Sequence, residues 1–167
     1  MAPVNVRSAL PGEHEALSAL AFASKAHWGY ASEQLRAWRS DLTFTPDTIS
    51  ARPTFVAEGE AGALVGVVQL NPSVEPWELD ALWVHPGAVG LGVGRALLGQ
   101  ALLVARQAGR SEVAIDADPN AEGFYLRCGA RRVGELAAPL AGQPHRIRPQ
   151  LRLATRAEAR TAICPPR

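Results

Sequence analysis

A mixed α/β (α+β) sheet flanked by helices is the fold that the order of elements in this sequence predicts. Three observations carry it. Strand-like and helix-like stretches alternate along the chain. A glycine-rich turn joins a strand pattern at 77–84 to the longest helical pattern, and another strand pattern at 111–117 follows that helix. A strand–helix–strand unit of this length makes two parallel strands by a right-handed crossover. The strand patterns before it lie close enough in sequence to form antiparallel hairpins, so the sheet is mixed.

The elements follow in order. "VNVRSAL" (4–10) alternates like a short strand, and Pro11 and Gly12 punctuate it. A helix then runs through Ser24, with Leu17, Leu20 and Ala21 on one face at spacings of three and four. Ser32 is a candidate cap for a second helix over 33–41. "TFVAEG" and "ALVGVVQL" read as two strands joined tightly around Glu60, Ala61 and Gly62. The long helix is expected from Gly92 to Ala108, with Gly109 as its stop. "NAEGFYLRCG" reads as a short helix ending at Gly129, followed by a strand, "ARRVGEL". "RIRPQLRLA" (146–154) is expected to close the sheet, with Pro149 marking an edge or bulge. In that segment Arg146, Arg148 and Arg152 alternate with apolar residues, as on a strand with one solvated face.

Composition bounds the function classes. The 167 residues are 47% hydrophobic and 20% charged, which suits one globular domain, expected over 1–155, with 156–167 as a flexible tail. A net charge of +1 argues against an electrostatically driven nucleic-acid binder. No run of 18 apolar residues exists and the N-terminus lacks the shape of a signal peptide. The expectation is a cytoplasmic protein with no membrane partner. Cys128 and Cys164 have neither metal-ligand nor disulfide-framework spacing, and no metal is expected.

In "HPGAVGLGVGRALL", Gly90, Gly92 and Gly94 alternate just where a helix begins. The first turn of a helix leaves N–H groups without partners at the positive end of its dipole. Without side chains there, an anion such as phosphate reaches the backbone closely. Arg95 opposes the dipole by a few tenths to about 1 kcal/mol unless an anion reverses the balance. A plain glycine turn with an incidental arginine is the alternative. A dinucleotide fingerprint fits poorly, because it needs G-x-G-x-x-G after the first strand and here the pattern is G-x-G-x-G in mid-chain.

Two blocks carry a family resemblance. "LWVHPGAVGLGVGRALL" (82–98) resembles the coenzyme-binding signature of GNAT acetyltransferases, a strand ending in V-x-P and then Q/R-x-x-G-x-G/A. "NAEGFYLRCGA" (120–130) resembles the family's N-x-x-A-x-x-F-Y-x-x-x-G-F, with Asn120, Phe124, Tyr125 and Gly129 in register. Gly123 and Ala130 stand where Ala and Phe are usual, and Val89 takes the Q/R position, which removes one side-chain contact to a pyrophosphate.

The resemblance implies a GNAT-like acyl-CoA N-acyltransferase fold, its sheet partly splayed between 77–84 and 111–117. Acetyl-CoA, as co-substrate, would lie in that opening. Its pyrophosphate would meet the backbone of Val89, Gly90, Leu91, Gly92, Val93, Gly94 and Arg95. Its pantetheine arm would pair with a bulged strand at Leu82, Trp83 and Val84. Tyr125 matches the family's acid for the leaving thiolate, with core packing beside Phe124 as the alternative. Asn120 holds either the coenzyme arm or the helix start.

The chemistry sets its own demands. An alkyl ammonium with a pKa near 10.4 costs about 4.6 kcal/mol to neutralise at pH 7, so a base or a pKa-lowering cleft must help. Glu78 and Asp80 alternate onto one strand face and are both candidates, Asp80 being deeper in the apolar run. His85 is a third candidate for the base, but it falls at the coenzyme turn and reads rather as structural. Lys25, His27, Trp28 and Tyr30 crowd the loop between the first two helices, which in related enzymes lines the acceptor cleft. There Lys25 would pair with an acceptor carboxylate, whereas Glu75, Glu78 and Asp80 would favour a cationic amine. The acceptor is expected to be a small-molecule or peptide amine. The sequence leaves room for a homodimer and, in another class, for a non-catalytic acyl-CoA-binding regulatory module.

Overall fold

Five α-helices and seven strands alternate among residues 4–156, which the computed structural model describes. They are β1 (Asn5–Ser8), α1 (His14–Ala26), α2 (Ser32–Ala37), α3 (Pro46–Ala51), β2 (Thr54–Glu58) and β3 (Leu64–Asn71). Then come β4 (Glu78–Val84), α4 (Val93–Gln107), β5 (Glu112–Asp116), α5 (Glu122–Arg127), β6 (Arg131–Ala137) and β7 (Ile147–Ala154). The strands form one mixed sheet in the order β1-β2-β3-β4-β5-β7-β6. Every pairing is antiparallel except that of β4 with β5, the two strands joined through α4. The expected tail lies, Arg156 apart, outside the described residues.

Each face of the sheet carries its own core. On α4, Val93, Leu97, Leu98, Ala101 and Ala105 are buried at helical spacing and pack on residues such as Val68, Val113, Ile115 and Leu151. The fit is close: a Cβ at Gly66 would lie 2.7 Å from Leu97 Cδ1 and 2.8 Å from Val93 Cγ1. On the other face Leu17, Leu20 and Ala21 of α1 pack with Leu42, Phe44, Ile49, Val56 and Val67. The helix α3 has no apolar periodicity to announce it. It starts because Thr45 accepts a hydrogen bond from the Thr48 amide and Pro46 occupies the first turn.

Three local expectations need correction. Ser32 lies inside α2, whose N-cap is Ala31. Strand β7 is not an edge: it inserts between β5 and β6, and β6 is the exposed edge strand. Pro149 is tolerated there because β5 ends at Asp116, opposite Gln150, so the N–H that proline lacks falls at the end of the ladder. Arg146 precedes β7 and its side chain is only 6% exposed, so it is not part of the solvated stripe.

The feature that builds the site is the failure of β4 and β5 to stay together. They pair only at Glu78 opposite Ala114, with the Ala114 amide donating to the Trp77 carbonyl at 2.8 Å. Beyond that point the backbone of β4 has no partner on its β5 side. A bulge sharpens the bend: Gln69 faces Ala81 and Leu70 faces Leu79, leaving Asp80 unpaired. The bulge therefore sits at Asp80, earlier than the expected 82–84. Among the described residues no helix is long and apolar enough to cross a membrane, and no cluster of His, Cys, Asp and Glu is arranged to hold a metal ion.

Candidate active site

The glycine turn leads from the end of β4 into α4. Gly90 and Gly92 both have φ of +81°, the left-handed region that an L side chain resists by about 1–2 kcal/mol. Gly94 has a different job. A Cβ on it would lie 3.3 Å from the Phe124 ring and 3.6 Å from Val84, so its absence lets α4 approach α5 and β4. Alternate glycines thus serve backbone twist twice and close packing once.

This turn leaves a row of donors. The amides of Gly90, Gly92, Val93, Gly94 and Arg95 give no hydrogen bond to any acceptor among the described residues, whereas the Val89 and Leu91 amides close local turns on Pro86 and Ala88. Gly92 caps α4 without a side chain, and no acidic residue occupies the first turn. The positive end of a 15-residue helix is therefore unanswered by the protein. Arg95, Val89 and Leu91 are exposed around it.

A cavity of about 610 Å³ runs from this turn into the opening between β4 and β5. Leu82, Trp83, Val84, Val89, Gly90, Gly92, Val93, Gly94, Arg95, Asn120 and Tyr125 line it; Leu91 does not. His27 and Trp28 close one side, their rings 5.9 Å apart and both exposed. His85 turns away: its Nδ1 accepts from the Gly87 amide at 3.1 Å and caps the turn after β4.

Tyr125 is 7% exposed, and its ring packs edge-on against Phe124 with centroids 5.2 Å apart. Burial raises its pKa well above the ordinary phenol value, so it holds its proton throughout the neutral range. Packing and lining the cavity are both true of it.

Asp118, which sequence reading passed over, ties together the wall of the cavity formed by the end of α1 and the turn before α5. Its Oδ1 caps the turn before α5 by accepting the Asn120 amide at 2.8 Å. Its Oδ2 is ion-paired with Lys25 and accepts from the Tyr30 hydroxyl at 2.8 Å. The Asn120 side-chain amide donates to both Asp118 and Tyr30. Burial alone would push the Asp118 pKa up, but the Lys25 hydrogen bond and charge, with the Asn120 amide and Tyr30, outweigh it and hold the carboxyl below its usual range. Lys25 is therefore not a free cation in a loop. It ends α1, buried, with its ammonium over the rings of Tyr30 and Trp38 at 4.9 and 4.6 Å. The signal for Asp118 was legible: Asp-Pro-Asn before a helix is a capping sequence.

The two candidate carboxylates separate clearly. A second cavity, of about 410 Å³, opens on the α3 face and takes in Glu78, Asp80, Trp83 and Asp116. Asp80 is exposed rather than deep, because the bulge turns it outward, and it is ion-paired with Arg52 at 2.5 Å. Asp116 pairs with Arg148 at 3.0 Å. Glu78, half-buried, makes no ion pair among the described residues. Its burial, then the charges of Asp80 and Asp116, push its pKa above the ordinary carboxylate value.

A parallel strand pair that separates beside an uncapped helix N-terminus defines the acyl-CoA N-acyltransferase fold. The comparisons agree. The model of the acetyltransferase (GNAT) family matches residues 17–130, and the chain belongs to that family of acyltransferases. A GCN5-related N-acetyltransferase from Rhodopseudomonas palustris superposes with a TM-score of 0.78 at 25% identity, covering 92% of this chain and 97% of that one. The PaiA N-acetyltransferase of Thermoplasma acidophilum, solved with coenzyme A, gives 0.69 at 18% identity over 91% and 99% of the two chains. YncA from Salmonella typhimurium, solved with acetyl-CoA, gives 0.66 at 18% identity over 98% and 100%. No curated protein matches the sequence at a comparable level of significance.

Proposed function

We propose that this chain transfers acetyl from acetyl-CoA to the primary amine of a small molecule, amino acid or peptide, by direct attack in a ternary complex. The observation that carries the reading is the row of unpartnered amides at Gly90, Gly92, Val93, Gly94 and Arg95, opening onto the same cavity as Tyr125. Charge-assisted hydrogen bonds from backbone amides are the means by which a helix N-terminus holds a diphosphate. With Val89 in place of a Gln or Arg, that load falls on the backbone amides and the Arg95 side chain beside them.

The backbone groups of Leu82 and Val84 face the β5 side without a partner there and supply the groups for an extended pantetheine arm, while those of Trp83 face β3. That arm brings the thioester into the cavity that Tyr125 lines. The net reaction forms an N–C bond, breaks the C–S bond and moves one proton from nitrogen to sulfur. Tyr125 presents its O–H to the sulfur as charge develops there. Its raised pKa lies above that of an ordinary thiol, near 8.5, so full transfer from it is uphill and hydrogen bonding is its contribution. Glu78 is the better base of the two candidates: it is free of an ion pair, and its elevated pKa brings it closer to the amine's. Asp80, held by Arg52, helps to keep Glu78 elevated.

The test is binding followed by turnover. Acetyl-CoA raises the melting temperature of the protein, and a panel of primary amines then releases free thiol. Stabilisation without thiol release from any amine refutes the enzymatic reading and favours a coenzyme-binding module.

A further inference from the structure

We infer that Arg146 forms a carboxylate subsite for the acceptor, so that the amine acetylated belongs to a molecule with a carboxylate near it. This deepens the acetyl-transfer reading above and rests on it. A cleft of about 550 Å³ lies between the loop after α1 and the segment leading into β7, and Trp28, Tyr30, Asn120, His145 and Arg146 line it. Trp28 and Asn120 also line the coenzyme cavity, so the two spaces share a wall.

The charge of this wall is unbalanced. Lys25, Arg146 and Asp118 have side chains 11%, 6% and 8% exposed, which places two cations against one carboxylate. Lys25 holds the carboxylate directly, whereas Arg146 Nη2 stands 3.7 Å from it, outside hydrogen-bond range. A guanidinium has five N–H donors. Here Nη1 donates to the Ala138 carbonyl at 3.1 Å and Nη2 to the Tyr30 hydroxyl at 3.2 Å, while Nε is buried with no partner. The faces of Tyr30 and Trp38 offset part of the charge, at 5.6 and 5.8 Å from the guanidinium carbon.

A buried cation with donors to spare is costly unless an anion completes it. The excess is a single charge, which fits a carboxylate better than a phosphate dianion. The planar guanidinium fork matches carboxylate geometry. Lys25 then acts as the clamp that keeps Asp118 from neutralising Arg146, rather than as the ligand for the acceptor.

The test uses the full chain with acetyl-CoA and three matched sets of acceptors: common L-amino acids, their carboxamides, and the same amines lacking the carboxyl group. The expected result is a kcat/KM for the preferred amino acid at least about tenfold above that of its carboxamide, the loss of one charged contact. Arg146→Lys lowers kcat/KM for the acid more than for the carboxamide, so the preference between them shrinks toward unity. Equal use of acid and amide by the wild-type protein overturns the subsite, and this comparison needs no variant to fold. Binding separates the subsite from the chemistry. With coenzyme A present, N-acetylated amino acids stabilise the wild-type protein more than their amides do, and Arg146→Lys removes the difference. Acid-selective stabilisation without thiol release leaves the subsite standing and refutes acetyl transfer. Turnover with no preference for the acid does the reverse.

Discussion

Replacing Gly92 and, separately, Gly109 by alanine puts the coenzyme turn to a controlled test. The two glycines flank the same helix, Gly92 at the N-terminus of α4 and Gly109 just past its C-terminus. Their φ values are +81° and +79°, and a Cβ at either site meets nothing within 4 Å. Steric cost is therefore absent and conformational cost is equal, about 1–2 kcal/mol for an L residue held left-handed. For a chain of this size that is a fall of about 2–8 °C in melting temperature in both variants. Only Gly92→Ala disturbs the donor row, because relaxing its φ swings the amides of Gly92 and Val93. Loss of one hydrogen bond to a charged group is worth about 1.5–3 kcal/mol, a rise in Kd for acetyl-CoA of about 10- to 150-fold. Calorimetric titration of both variants reads this directly. Equal Kd values for the two, whether both weakened or both unchanged, would mean that the turn does not grip the coenzyme.

Three further outcomes follow from the site's electrostatics. Glu78→Gln lowers kcat/KM about 10²- to 10⁴-fold yet raises stability at neutral pH. The raised pKa of Glu78 means that its ionised form disfavours the fold above the ordinary carboxylate range, so the gain in melting temperature appears as pH rises through the elevated pKa and vanishes below the unfolded value. A melting-temperature series from pH 4 to 8 shows it, and a loss of stability throughout would remove the base assignment. Tyr125→Phe lowers kcat about 10²-fold with the acetyl-CoA-induced thermal shift intact, and the wild-type rate shows no decline from phenol ionisation up to about pH 10. Asp118→Asn takes the carboxylate from Lys25, leaves two buried cations side by side and costs about 3–5 kcal/mol. Because the Asp118 pKa is depressed, that stabilisation is present above the ordinary carboxylate pKa and is lost as pH falls through the lowered one. The gap between wild type and variant in thermal melts accordingly closes only in strong acid.

Features set by local chemistry were legible in the sequence. Helix α4 announced itself through apolar spacing from Val93 to Ala105 and through Gly109 as its stop, and it forms between Gly92 and Ala108 as expected. The parallel pairing of β4 with β5 followed from the length of the crossover. What escaped depended on distant partners. Strand alternation says which face a residue takes but not which strand lies beside it, so β7 read as an edge although it runs between β5 and β6. A one-residue bulge leaves no mark on "WELDALWV", yet it exposes Asp80 and leaves Glu78 as the shielded carboxylate. Arg146 looked like a solvated strand residue because nothing near it in sequence reveals Tyr30 and Asp118, which reach it from segments 116 and 28 positions away.

In the proposed reading, that last network joins substrate recognition to coenzyme placement. Asp118 caps the turn that starts the helix carrying Tyr125, and the same carboxylate holds Lys25 at the end of α1 and, through the Tyr30 hydroxyl, Arg146 before β7. Three segments bordering the opening are thus fixed by one buried group. Buried charge is poor at adding stability but good at enforcing a single arrangement, since every alternative takes the carboxylate from Lys25. On the proposal above, an acceptor carboxylate arriving at Arg146 would complete the network instead of breaking it, and so would add order on the side of the opening lined by Tyr125. Binding energy far from the reacting bond is in this way converted into position at it.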